Sequence, residues 1–216
     1  MNAGMDIWAV VPVKEVADAK QRLGPAVPPH LRPRLALAMV EDVLAALAAT
    51  PELAGIAVVT VEPAAAALAA RYGARVLADG AREGQTGAVA AAARILARAG
   101  RGAMLTIPGD VPLITAAEVR AVIAAHDRTP DFVIAPAHDE RGSNAILCAP
   151  PEAVALKFGD DSFLPHLDAA RRAGLAPKIL RLPGIGLDID NPQDLAAFLK
   201  IRSNTRARAL LQEAGA

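Results

Sequence analysis

Three aspartates carry the clearest chemical signal in this 216-residue chain. Asp110 lies in Ile107-Pro108-Gly109-Asp110-Val111-Pro112-Leu113, directly after the apolar run 103–107. Asp188 and Asp190 lie far downstream, in Gly186-Leu187-Asp188-Ile189-Asp190-Asn191-Pro192. A carboxylate at the carboxyl end of a buried strand is where an open α/β sheet places its ligand chemistry. Residues i and i+2 of an extended segment face the same side, so Asp188 and Asp190 can share one target. Oxygen-only, anionic ligands of this kind read as a magnesium site serving a phosphate-bearing substrate. A plainer reading exists for part of the set, because Asp or Asn before Pro commonly starts a helix. That accounts for Asn191 but not for Asp188, for which pairing with an arginine is the structural alternative.

Cations and hydroxyls occur at other strand ends. After Pro12-Val13 the chain offers Lys14, Lys20 and Arg22, placed to hold a polyphosphate and offset charge on a leaving pyrophosphate; a solvated charged loop is the alternative. Glu83-Gly84-Gln85-Thr86-Gly87-Ala88 precedes an Ala-rich helix, and backbone N–H groups around Gly84 and Thr86 suit a base or a phosphate. Equally, Gly84 and Gly87 serve as turn and close-packing residues. Ser143, in Arg141-Gly142-Ser143-Asn144-Ala145, and Gly159 and Ser162, in Phe158-Gly159-Asp160-Asp161-Ser162-Phe163, would form a small anion pocket. A simple helix N-cap is the alternative for Ser162. His166 lies one helical turn beyond Ser162, on the same face.

These residues need a scaffold that brings strand ends together. Strands are expected at Ile7–Val13, Ile56–Val61, Arg75–Ala78, Ala103–Ile107, Phe132–Ala135, Ala145–Cys148 and Lys178–Leu182. Helices are expected at Pro33–Ala49, Pro63–Tyr72, Thr86–Ala99, Ala116–His126, Phe163–Ala173 and Pro192–Leu199. Leu35, Met39, Val43, Ala46 and Leu47 give the first helix an apolar stripe. Gly73 and Gly100 suit left-handed helix ends, and Thr115 with Glu118 makes a capping box. The alternation predicts a single α/β domain, residues 1–201, with a mostly parallel sheet flanked by helices on both faces. Residues 202–216 read as a short, loosely attached helical tail.

Composition narrows the function class. Lys+Arg and Asp+Glu both number 23, and aromatics make up 3%, which disfavours nucleic-acid or membrane binding. The hydrophobic fraction of 53% supports a sizeable core, and no run is long enough for a membrane span. One cysteine, Cys148, excludes an internal disulfide and a cysteine zinc cluster, and reads as a buried apolar residue. Met1–Ile7 shows no signal-peptide pattern, so a reducing, cytoplasmic setting is expected. The loop after the first strand has neither a Gly-x-Gly-x-x-Gly fingerprint nor a Walker-type Gly-Lys-Ser/Thr, against a dinucleotide oxidoreductase or an ordinary ATPase.

Read in order, Trp8–Lys14, Ala19–Leu23, Asp110–Leu113, Gly142–Ala145, Phe158-Gly159 with Ser162-Phe163 and His166, and Leu187–Asp190 with Asp194-Leu195 resemble the 2-phospho-L-lactate guanylyltransferase family of deazaflavin coenzyme F420 biosynthesis. That family includes phosphoenolpyruvate and 3-phospho-D-glycerate guanylyltransferases. The resemblance covers about residues 6–200; each motif is weak alone, and order and spacing together are specific. It implies a nucleotide-diphospho-sugar transferase fold of the glycosyltransferase-A type, GTP and Mg²⁺ binding, and a homodimer. It carries the metal ligands over to Asp110, Asp188 and Asp190, and the phospho-acid pocket to Ser143, Gly159 and Ser162. Lys14, Gly84, Thr86 and Asp110 are expected at the nucleotide; Lys14, Lys20, Arg22 and Asp110 at the reacting phosphates. Three motifs depart from the family pattern. Ser143 replaces Thr, Gly84-Gln85-Thr86 replaces Gly-Leu-Asn, and Gly109 replaces Ala, leaving more room before Asp110. The rival readings are another nucleotidyltransferase, of molybdopterin or sugar-phosphate type, and a non-catalytic nucleotide-binding module. The first usually has a Gly-rich loop where this chain has Pro12-Val13-Lys14; the second predicts binding without pyrophosphate release.

Overall fold

The computed structural model describes residues 6–17, 19–24 and 26–215. Most of the Met1–Ile7 stretch therefore lies outside the described residues, as does Asp18 in the basic loop. Strands β1 (Ile7–Pro12), β2 (Gly55–Val59), β3 (Arg75–Leu77), β4 (Ala103–Thr106), β5 (Asp131–Pro136), β6 (Ser143–Ala149) and β7 (Lys178–Ile179) form one sheet in the order β3-β2-β1-β4-β6-β5-β7. Helices are α1 (Arg32–Ala48), α2 (Pro63–Arg71), α3 (Gly84–Arg98), α4 (Ala116–Ala125), α5 (Phe163–Arg172), α6 (Pro183–Gly186), α7 (Pro192–Lys200) and α8 (Arg206–Glu213).

The inner strands β1, β2, β4, β5 and β6 are largely buried on both faces, whereas the edge strands β3 and β7 are partly exposed, and side chains sort by parity, as the two-residue strand period requires. Ile7, Ala9 and Val11 of β1 join one core with α1, α2 and α4, while Val10 joins another with α3. In β6, Ala145 and Leu147 face the first core, and Ile146 and Cys148 face α5. The expected stripe on α1 is all buried. Cys148 is fully buried and free, and burial pushes its thiol up to about 12.

The sheet is mostly parallel as expected; β6 alone is antiparallel to its neighbours β4 and β5. Residues 137–142 link β5 to β6, too few for the crossover that a parallel pair would need. β7 is shorter than expected, because the chain turns at Pro183, which has no N–H, into the unanticipated α6. Gly73 and Gly100 do adopt positive φ, and Thr115 and Glu118 do form the capping box.

The tail is not loosely attached. Its helix α8 packs on α1, with Ala207 and Leu211 fully buried. The Asp42 carboxylate of α1 accepts the N–H groups of Arg206 at 2.8 Å and Ala207 at 3.0 Å, capping α8 from another helix. Burial raises the Asp42 pKa above the usual carboxylate value, and the two N–H bonds and Arg206 partly offset that rise. Sequence periodicity could not show this cap, since donor and acceptor are 164 residues apart. Asp42→Ala is expected to destabilise the protein by about 1–2 kcal/mol and to expose the α7–α8 connection to protease. Urea unfolding together with limited proteolysis checks both.

Candidate active site

The loops after β1 and β4 lie side by side, because these strands are direct parallel neighbours in the middle of the sheet. The chain order reverses there, β2 lying on one side of β1 and β4 on the other, which makes a topological switch point. A cleft of about 1030 Å³ opens at this edge. Every expected site residue lines it: Lys14, Lys20, Arg22, Gly84, Thr86, Asp110, Ser143, Gly159, Ser162, Asp188 and Asp190.

Two features bring the remote aspartates to Asp110. The N–H of Ile189 donates to the carbonyl of Asp110 at 3.1 Å, clamping the two loops together. Leu187 and Ile189 are buried in a cluster with Leu23, Met39 and Phe198, so the intervening Asp188 and the following Asp190 turn to the cleft. The same cluster buries Leu23 of the short 3-10 turn 21–23 and so fixes the end of the basic loop. At the other end of that loop, Val16 N–H donates to the Glu62 carboxylate at 3.0 Å.

Lys20 stands between two of the aspartates. Its Nζ lies 2.7 Å from Asp110 Oδ2 and 2.7 Å from Asp190 Oδ1. Burial opposes its charge, but Asp110 and Asp190 outweigh burial and hold its pKa above the ordinary lysine value. Lys20 adopts a left-handed backbone (φ 56°), costing about 1–2 kcal/mol. Two charge-assisted hydrogen bonds, each worth about 1.5–3 kcal/mol, are enough to offset that strain. Asp188 is held differently: Asn144 Nδ2 donates to it at 2.9 Å and to the Ile185 carbonyl at 2.9 Å. Its partner is thus an asparagine, not an arginine. Burial, reinforced by Asp110 and Asp190 against the Asn144 bond, pushes its carboxyl up to about 6. The supporting roles of Asn144, of Glu62, and of Asp194, which accepts the N–H groups of Asp190 and Asn191, were not read from sequence. The Gly-Ser-Asn motif was the available signal for the first.

Among the described residues, no three His, Cys, Asp or Glu side chains are gathered into a ready metal site. The donor set nevertheless fits a hard divalent cation, being all anionic oxygen, with the Asp188 carboxyl raised by burial and further by its like-charged neighbours. The space anticipated at Gly109 is occupied, since a Cβ there would meet Val40 Cγ2 at 2.8 Å.

The two hydroxyls of the expected anion pocket meet. Ser162 makes no capping bond to its own helix; its Oγ lies 3.3 Å from Ser143 Oγ. His166 Nδ1 is 2.9 Å from the same Ser143 oxygen, and its Nε2 accepts the Lys157 N–H at 3.0 Å. Burial alone lowers the His166 pKa, to about 4. Across the cleft, α3 begins at Gly84, whose φ of +70° favours glycine, and Thr86 Oγ1 accepts the Phe158 N–H at 3.0 Å. Lys14 is exposed, and among the described residues Arg22 has a distant partner, Asp160 at 3.8 Å, with both side chains exposed.

The model of the family described as "Guanylyl transferase CofC like" matches residues 7–216. A phosphoenolpyruvate guanylyltransferase of Roseiflexus castenholzii is 37% identical, over 97% of this chain and 95% of its own. One of Rubrobacter xylanophilus is 38% identical, over 89% and 93% respectively. Among solved structures, a nucleotide-diphospho-sugar transferase-like protein of Desulfovibrio desulfuricans G20 superposes with a TM-score of 0.74 at 20% identity, covering 97% of this chain and 95% of that one. The 4-diphosphocytidyl-2C-methyl-D-erythritol synthase of Anaerococcus prevotii gives 0.60 at 14%, covering 92% and 100%. These structural likenesses bear on the fold.

The buried imidazole gives the site a pH signature. With a native pKa of about 4 against an ordinary 6.5, the unfolded chain binds more protons between those values, so His166 makes stability rise with pH across that window. Asp188, at about 6 against 3.8, acts in the opposite sense. Comparing wild type with His166→Phe cancels the Asp188 part. As pH falls from about 6.5 toward 4.5, the wild type is expected to lose stability relative to the variant. Urea denaturation at several pH values measures this, and a flat difference would contradict a buried neutral imidazole.

Proposed function

The chain belongs to the CofC-like guanylyl transferase family and is a nucleotidyltransferase, and from that premise we propose that it transfers GMP from GTP to the phosphate of a small phospho-acid. Phosphoenolpyruvate is the first candidate, after the names of the curated relatives; 2-phospho-L-lactate and 3-phospho-D-glycerate are the alternatives. The product would enter deazaflavin coenzyme F420 biosynthesis. One observation carries the proposal: the carboxylates Asp110, Asp188 and Asp190 and the hydroxyl pair Ser143 and Ser162 converge on one cleft at the switch point of the sheet.

In this reaction an oxygen of the acceptor phosphate forms a bond to the α-phosphorus of GTP. The bond from that phosphorus to the bridging oxygen breaks, and pyrophosphate leaves. A phosphate monoester with a second pKa of about 6 is already largely ionised near neutrality, so the site needs no strong general base. What it must supply is alignment of two polyanions and relief of their repulsion. Lys14, Lys20 and Arg22 border the cleft and would face the triphosphate. Lys20, now committed to Asp110 and Asp190, has a stronger reason to turn outward once a polyanion and a cation arrive together. Asp110, Asp188 and Asp190 would hold Mg²⁺, which when bound supplies charge neutralisation at the phosphates. The N-terminus of α3, at Gly84 to Thr86, opens on the cleft as a donor end for the nucleotide. Ser143, Ser162 and the Gly159 N–H would take the acid's anionic oxygens.

Pyrophosphate release with GTP and Mg²⁺, each phospho-acid offered separately and ATP and CTP as controls, tests the reaction directly. Release with GTP and one acid is expected; tight GTP binding without release from any pair would return the protein to the non-catalytic reading. Asp110→Asn is expected to cut turnover by about a hundred-fold or more while leaving the circular dichroism spectrum unchanged. A fully active, folded Asp110→Asn protein would rule out the role given to the aspartates.

A further inference from the structure

His166 belongs to no motif role assigned so far, yet it is 1% exposed and touches both walls of the hydroxyl pocket. A backbone N–H can only donate, so the Lys157 N–H at 3.0 Å requires a bare Nε2 on His166. A neutral imidazole carries one proton, which must then sit on Nδ1 and point to Ser143 Oγ, 2.9 Å away. Phe158 packs edge-on against the ring at 5.0 Å and helps fix its plane.

We propose that His166 is a positioning residue that sets the polarity of the acceptor pocket, turning the Ser143–Ser162 pair into a net hydrogen-bond donor for an anionic oxygen. Ser143 and Ser162 share one hydrogen bond at 3.3 Å, which uses one of their two hydroxyl protons. Because His166 donates to Ser143, the pair spends no proton on the imidazole. The second hydroxyl proton has no acceptor among the described residues and is left for the cleft. With the other tautomer, Ser143 would donate to Nδ1, Ser162 would donate to Ser143, and only lone pairs would face the ligand. Those would repel a carboxylate or phosphate. The Lys157 amide therefore dictates, through one ring, which way the hydroxyls point. The same contact holds the 156–159 segment against the pocket, alongside the tie from Phe158 N–H to Thr86. No hydrogen bond within the described residues engages the N–H of neighbouring Gly159, which remains as a second donor. A neutral donor array of this kind suits the anionic oxygen of a phospho-acid, and this inference rests on the guanylyl-transfer reading given above.

Nitrogen-15 NMR of the wild-type protein reads the tautomer without any substrate, and the Nδ1–H form is expected. Steady-state kinetics then separate positioning from general damage. His166→Phe is expected to raise KM for phosphoenolpyruvate, or whichever acid the wild type turns over, by about ten-fold or more, with KM for GTP unchanged. His166→Asn, which can place an amide N–H where Nδ1 was, should recover most of that loss. In a Ser143→Ala background, His166→Phe should add nothing further. An Nε2–H tautomer, an unchanged acid KM in His166→Phe beside a raised one in Ser143→Ala, or equal rises for acid and GTP would each overturn the inference. If His166→Phe does not fold, the tautomer and His166→Asn decide. A wild type that turns over no acid at all would overturn the reaction itself, and the inference with it. Wild-type turnover with an indifferent His166 would overturn the inference alone.

Discussion

Repulsion among Asp110, Asp188 and Asp190 is the constraint around which the cleft is organised. Three carboxylates facing one space are costly to ionise together, and they are accommodated in two ways. Lys20 takes up the charge of Asp110 and Asp190 through two short ion pairs. Asp188 receives a neutral amide from Asn144, and its carboxyl remains easy to protonate. The strained backbone at Lys20 is offset by the two ion pairs that its ammonium makes with Asp110 and Asp190.

Holding those carboxylates together falls to the apolar cluster below them. Leu23, Leu187 and Ile189 share one buried group with α1, α7 and α8. The same packing that docks the tail therefore aims the basic loop and the Asp188–Asp190 segment. Asp42, capping α8 from α1, belongs to this arrangement, although it lies outside the cleft. The backbone bond from Ile189 N–H to the Asp110 carbonyl then ties together segments that the chain keeps far apart.

The other half of the cleft uses a different device. Around Ser143 and Ser162 the hydroxyls bond neutral partners, each other and the buried His166 imidazole, which in turn accepts the Lys157 N–H, while the neighbouring Arg141–Asp161 ion pair is exposed. Formal charge gathers around the aspartates, and neutral hydrogen-bonding groups gather around the two serines. Such a division suits the chemistry, because neutral donors discriminate by geometry while charges act over longer range.

Much of this was legible in the sequence. Alternating apolar runs and helical stripes gave the mostly parallel sheet, because burial on both faces imposes periods of two and 3.6 residues that any window of the chain displays. The residues that line the cleft were legible as types at strand ends, since a switch point draws its ligands from those positions. Hidden from sequence were the partners: Lys20 between two aspartates, Asn144 on Asp188, Asp42 under α8, Ser162 turned from its helix toward Ser143. Each is a contact between segments far apart in the chain, and nothing local encodes it. The sequence determined which residues carry charge and which strands must be buried. Only the tertiary structure decided which of those charges meet and which hydroxyl faces which ring. Pair energies fall off over a few ångströms, and distances on that scale exist only once the sheet has closed.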